Sequence, residues 1–143
     1  MARILIVEDS AAMRTYVRAA LEGAPELGDV EIVEAASGFD ALRLLPRSAY
    51  DLVITDINMP DINGLELIRF VRQNNHLAAV ALLVISTQSS ERDRARSLAL
   101  GADEFLAKPF APEQLVGAVT KCLGMRRSLP SIHDRDAKEE GGA

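Results

Sequence analysis

The sequence of 143 residues has no tryptophan, one cysteine, and only four phenylalanines and two tyrosines. A single cysteine excludes an internal disulfide. Cys122 falls on an apolar helical stripe, so it is expected to be a buried thiol in a protein kept in a reducing compartment. No apolar run is long enough to cross a bilayer. The opening Ile4-Leu5-Ile6-Val7 is too short for an export signal, and acids follow it at once. The expectation is a cytoplasmic protein that avoids membranes. Excess base is also lacking: 16 Lys and Arg against 21 Asp and Glu leave a formal charge of -5. That balance speaks against nucleic acid as a direct partner, because neutralising phosphates requires a basic face.

What is present is a regular alternation. Short apolar runs at 3–7, 30–35, 51–55, 80–85 and 103–107 predict strands, and amphipathic stretches at 11–22, 38–45, 64–73, 90–100 and 112–123 predict helices. Met13, Val17, Ala20 and Leu21 share one helical face, as do Leu115, Val116, Val119, Cys122 and Leu123. Ile4–Val7 and Leu52–Ile54 are apolar at every position, which suits parallel strands covered on both faces. Residues 30–35 carry Glu31 and Glu34 among apolar neighbours, as an edge strand would. The predicted architecture is α/β, a flavodoxin-like, doubly wound, five-stranded parallel sheet in the order 2-1-3-4-5. Gly23, Pro25 and Gly28 break the chain after the first helix, Gly101 follows the fourth, and Pro112 opens the fifth. Residues 1–124 form one expected domain. Residues 125–143 lose periodicity and predict a mobile tail.

In such a sheet, ligands bind beyond the carboxyl ends of the strands. Glu8 and Asp9 follow the first predicted strand, Asp56 the third, Ser86 the fourth and Lys108 the fifth. The first and third strands are neighbours in this topology, so three carboxylates converge opposite one ammonium. A divalent cation would bring the residual charge to zero. Magnesium suits oxygen donors, needs only one or two carboxylates and accepts phosphate oxygens. Asp9 and Asp56 can ligate it directly, a main-chain carbonyl just after Asp56 can add an oxygen, and Glu8 can hold a metal-bound water. Asp56 is then a candidate nucleophile toward a phosphoryl group, with Lys108 as a point charge and Ser86 as a hydrogen-bond donor.

These residues and their spacing resemble the receiver domains of two-component response regulators, specifically the stand-alone chemotaxis type. The resemblance covers residues 2–124. It rests on Glu8-Asp9, the segment Asp56-x-Asn58-Met59-Pro60 with Gly64 after it, Ser86 thirty residues past Asp56, and Lys108-Pro109 twenty-two further on. Gly101-Ala102-Asp103 and Phe105 also fit. It implies that Asp56 is the phosphoacceptor for a sensor histidine kinase or its phosphotransfer domain. Magnesium would be held by Asp9, Asp56 and the Asn58 carbonyl, with Glu8 assisting through water. Ser86 would be the switch hydroxyl, Lys108 the phosphate-binding lysine, and Phe105 the aromatic that swings inward on activation. A cis Lys108–Pro109 bond is implied as well. The output surface would be the face of helix 90–100, strand 103–107 and helix 112–123, in a chain that is a monomer or weak dimer.

Several residues depart from that pattern. Phe105 has no phenolic hydroxyl, Thr87 is bulkier than the small residue often found there, and neither Asn58 nor Gln88 is an obvious base. The segment Gly23–Asp29 is longer than usual. Plainer roles exist too: Asp9 or Ser10 can cap helix 11–22, Phe105 can be simple core, and Glu91–Arg96 can be a solvated face. His76 and His133 have no ligand spacing. An aspartate-nucleophile phosphohydrolase would want an acid at position 58, where asparagine cannot exchange protons. A nucleotide- or flavin-binding domain would want a glycine- or hydroxyl-rich turn where Glu8-Asp9 stands. No helix-turn-helix pattern follows residue 124, so the expectation is a phosphorylation-controlled binding module, with a phosphorelay carrier or the receiver of a larger regulator as alternatives.

Overall fold

A computed structural model of the chain describes residues 1–87 and 91–127, with side chains described as far as Met125. Five strands, β1 (Ala2–Val7), β2 (Val30–Ala35), β3 (Leu52–Asp56), β4 (Ala81–Ser86) and β5 (Glu104–Ala107), alternate with five helices. These are α1 (Ala11–Glu22), α2 (Gly38–Leu44), α3 (Gly64–Gln73), α4 (Glu91–Leu100) and α5 (Pro112–Arg127). The sheet is wholly parallel in the order β2-β1-β3-β4-β5, as expected, and the alternating β2 lies at an edge.

The period-two geometry of strands sorts the apolar residues into two cores. Leu5, Val7, Val53, Leu82, Val84 and Phe105 join residues of α2 and α3 on one side. Ile4, Ile6, Leu52, Ile54, Leu83 and Ile85 meet Val17 and Leu21 of α1 and Leu115, Val119 and Cys122 of α5 on the other. This double cover is why β1 and β3 are apolar at consecutive positions.

Local signals set most of the element ends. The Ser10 hydroxyl accepts from Met13 N–H, so Ser10 caps α1 and Asp9 does not. Asn63 and Glu66 form a reciprocal capping box at the start of α3. The unusual segment after α1 contains a short 3-10 turn, Pro25–Leu27.

One helix departs from expectation. α5 does not stop at residue 123 but continues to Arg127, so the tail does not begin at 125. Gly124 would end a helix only by adopting the left-handed conformation, and its backbone stays helical. The residues after it, Met125-Arg126-Arg127, have high helix propensity. The rest of the predicted tail, with His133, and the expected first residue of helix 90–100 lie outside the described residues, as does Gln88. Among the described residues, no helix is long and apolar enough to cross a membrane.

Cys122 is buried in the second core, and burial pushes its thiol up to about 12. An unfolded thiol titrates near 8.5. The folded state therefore keeps its proton where the unfolded state loses it, and this contribution to stability is present below pH 8.5 and lost as pH rises toward 12. At pH 8 the native protein should resist iodoacetamide while the denaturant-unfolded chain alkylates fully, as mass spectrometry would show. Native alkylation at the rate of a free thiol would contradict the packing.

Candidate functional site

The carboxyl edge of the sheet collects the predicted residues because adjacent strands end at the same level. Glu8 and Asp9 leave β1, Asp56 is the last residue of β3, and Ser86 is the last of β4. Each of Glu8, Asp9 and Asp56 offers a carboxylate oxygen, and these atoms lie within 4.8 Å of one another. Glu8 is 1% and Asp56 7% exposed, whereas Asp9 is open to solvent.

Lys108 holds this cluster together. Its Nζ donates to Glu8 Oε1 at 2.5 Å and to Asp56 Oδ2 at 3.3 Å. The stronger contact with Glu8 was not foreseen from spacing, which indicates the edge a residue reaches but not the atom it meets there. The lysine's own backbone N–H donates to the Ser86 carbonyl at 2.8 Å, tying the end of β5 to the end of β4. The Lys108–Pro109 bond is cis. Beyond it, the Tyr16 hydroxyl donates to the Phe110 carbonyl at 2.7 Å, fastening this loop to α1.

Burial drives Glu8 above the ordinary carboxylate range, and the neighbouring Asp9 adds to the rise. Hydrogen bonds from Lys108 and from Ser10 N–H, the latter at 2.9 Å, oppose it without overcoming it. For Lys108, burial works against the ammonium, but the hydrogen bond to Glu8 and the charges of Asp56 and Glu8 outweigh it and raise its pKa. The lysine is thus fully cationic at neutral pH.

The loop after β3 is shaped by close backbone approach. Asn58 N–H points at Asp56 Oδ1 at 3.4 Å, and Gly64 N–H donates to the Ile57 carbonyl at 2.9 Å. A Cβ on Gly64 would stand 2.2 Å from the Asp56 carbonyl oxygen, so only glycine lets the loop fold back onto the strand end. Asp61, in the same loop, accepts from the N–H groups of Gly38 and Phe39, which holds its carboxyl below the usual range and fixes the start of α2.

Ser86 is fully buried and Thr87 is exposed. Phe105 is only 6% exposed, packed in the first core. The inward position that the resemblance reserves for the activated state is therefore already occupied here. A phenyl ring has no hydroxyl to favour the solvent-facing alternative, so burial of its apolar surface decides its place.

Two further groups lay beyond sequence reasoning. Arg72 donates to the carbonyls of Gly101, Ala78 and Val80 and to Asp103 Oδ2 at 3.0 Å, riveting α3 to the turn before β5. Arg14 donates to the Glu8 carbonyl at 2.6 Å and to Glu34 at 3.1 Å. Its placement in the first turn of α1, where a cation opposes the helix dipole, was the available signal.

The donor set is all oxygen, mostly carboxylate, and compact. It fits a small hard divalent cation of the magnesium class.

Comparison with known proteins agrees with this geometry. The family model described as the response regulator receiver domain matches residues 4–120. A probable transcriptional regulatory protein of Picosynechococcus is 38% identical over 96% of this chain, which spans 57% of that relative's length. The chemotaxis protein CheY1 of Helicobacter pylori (strain J99) is 32% identical, with 85% of this chain and 97% of that protein aligned. Among solved structures, the chemotaxis response regulator CheY4 of Vibrio cholerae superposes with a TM-score of 0.78 at 31% identity, covering 85% of this chain and 98% of that one.

Proposed function

The chain belongs to the response regulator receiver domain family, and on that premise we propose that it is a signalling phosphoacceptor with Asp56 as the accepting residue. The observation that carries this is the meeting of three carboxylates within 4.8 Å, one of them the buried Asp56, with the Lys108 ammonium 3.3 Å from it. In the proposed step a carboxylate oxygen of Asp56 attacks the phosphorus of a phosphohistidine on a sensor kinase or its phosphotransfer domain. The P–N bond breaks, and its electron pair returns to an imidazole already protonated on its other ring nitrogen, which therefore leaves neutral. Asp9, Asp56 and the Asn58 carbonyl would hold magnesium, with Glu8 assisting through water. When bound, the ion offsets carboxylate charge and draws in phosphate oxygens.

The chain's own groups then respond to the new charge. A phosphoryl group brings close to two negative charges and three acceptor oxygens. Lys108, now shared between Glu8 and Asp56, is drawn toward it, and the Ser86 hydroxyl can donate to it. Asn58 cannot exchange protons with an attacking water, so the acyl phosphate persists and no steady-state phosphatase activity is expected. The group biases a two-state equilibrium at the face made by α4, β5 and α5, where a downstream protein docks. Phe105 takes part as a core residue already seated, contributing shape rather than a hydroxyl. The proposal carries with it a cytoplasmic location beside the kinase and a role in a chemotaxis, motility or phosphorelay pathway.

Acetyl phosphate with magnesium should add the mass of one phosphoryl group, and a chelator should prevent it. Amide chemical shifts should move at the strand ends and onward to Phe105. Failure of uptake would overturn the acceptor assignment. Shifts confined to the strand ends would overturn the switch alone. The length of the Picosynechococcus relative favours a second possibility, that the same receiver chemistry serves a longer regulator. In that case the activated chain should gain affinity for an output domain rather than for a separate partner.

A further inference from the structure

We infer that Arg14 is a positioning residue for the cation-binding turn, acting on Asp9 through the Glu8–Asp9 peptide. This rests on the magnesium reading above.

The Arg14 guanidinium works in two directions. Nη1 donates to the Glu8 carbonyl oxygen at 2.6 Å, and Nε donates to Glu34 Oε1 at 3.1 Å. Glu34 is in turn gripped by Arg18 Nε at 2.9 Å, and Arg18 Nη2 donates to the Ile32 carbonyl at 3.2 Å. The arginine is thus braced against the edge strand β2. A planar fork can serve two oxygens in fixed directions, which an ammonium cannot.

The identity of the bonded carbonyl gives the contact its meaning. A peptide is planar, so holding the Glu8 oxygen also holds the Asp9 nitrogen and Cα. The other members of the site are oriented through their own side chains. Lys108 and Ser10 N–H hold the Glu8 carboxylate, and Lys108 and Asn58 N–H hold that of Asp56. The Asp9 carboxylate faces that of Glu8. Among the described residues no cation or N–H group orients it. Its direction therefore follows from its backbone, and Arg14 fixes that backbone from outside the site.

Charge and geometry predict opposite signs, which makes the inference testable. Arg14 is a cation close to a cation site, so by charge alone its removal should tighten magnesium binding. As a positioning residue, its removal should weaken binding, and outer-shell partners of metal ligands typically account for 10–100-fold in affinity.

Magnesium titrations of the full chain, followed by amide chemical shifts around Asp9 and Asp56, would compare the parent with Arg14→Met, Arg14→Lys and Glu34→Gln. Arg14→Met should raise the magnesium Kd about tenfold or more. Arg14→Lys, which keeps the charge and loses the fork, should fall between it and the parent. Glu34→Gln should weaken binding in the same direction. An Arg14→Met variant that binds as tightly as the parent, or more tightly, would overturn the inference. Should that variant fail to fold by circular dichroism, parent-like affinity in both of the others would overturn it instead. A parent chain that binds no magnesium would refute the metal site itself. Parent binding with indifferent variants would refute only the role of Arg14.

Discussion

Asp56→Asn is expected to take up no phosphoryl group from acetyl phosphate at any magnesium concentration, while folding at least as stably as the parent. The first half follows from nucleophilicity: an amide oxygen is a far weaker nucleophile than a carboxylate, and no other acid shares Asp56's place at the end of β3 beside Lys108. The second half follows from charge. Glu8, Asp9 and Asp56 are crowded within 4.8 Å, and a single ammonium answers them. Removing one negative charge relieves repulsion, and Lys108 keeps its 2.5 Å partner Glu8, so no cation is left stranded. Melting should shift upward by a small margin, on the order of 1 kcal/mol or less. Intact-mass measurement and a thermal melt decide both halves. Parent-like uptake would mean that the acceptor lies elsewhere.

Gly64→Ala should be the most damaging added methyl among the described glycines. Its Cβ would lie 2.2 Å from the Asp56 carbonyl oxygen and 2.9 Å from both the Asp56 carbonyl carbon and the Ile57 Cα. All three are backbone atoms at the end of a buried strand, so no side chain can swing aside. Relief requires breaking the Gly64 N–H bond to the Ile57 carbonyl and moving the loop that carries Asn58. Overpacking of this kind costs about 3 kcal/mol or more, a large part of the 5–15 kcal/mol that typically holds a domain together. A fall in Tm of about 10 °C is expected, together with weakened magnesium binding because the oxygen cluster is displaced. Gly124→Ala is the control. Its Cβ meets nothing within 4 Å inside α5, so it should stabilise by about 0.5–1 kcal/mol through helix propensity. Equal melting of the two variants would contradict the close approach at Gly64.

The sheet and its order were legible because burial on both faces leaves a direct record: Ile4–Val7 of β1 and Leu52–Ile54 of β3 are apolar at every position. The site's location was legible for a related reason, since an acid that ends such a strand can lie only at its carboxyl edge. Pairings across the edge were not legible. Lys108 lies 100 positions from Glu8 and 52 from Asp56. Which of them it meets more closely depends on the shape of two turns. Arg72 and Asp103, 31 positions apart, left no trace because a contact between a helix and a turn that far apart has no period in sequence. The end of α5 was not legible because the apolar periodicity stops at Leu123, whereas Met125-Arg126-Arg127 carry the helix on by propensity alone. The burial of Phe105 was legible in its chemistry, because a ring without a hydroxyl favours the core.

The Arg72 contacts have a mechanical consequence. Within α4 only Ser97 is fully buried, so little of the helix is sunk into the body of the protein. Its far end is different: the turn at Gly101–Asp103 is clamped to α3 through the Arg72 guanidinium. α4 is therefore a beam anchored at one end. Ten residues of helix are about 15 Å long, so a tilt of a few degrees about that anchor moves its start by about an ångström. The start is the end that follows β4, whose last residue is Ser86. A small pull there would be paid out along the beam as angle, while the clamped turn at its far end holds its place.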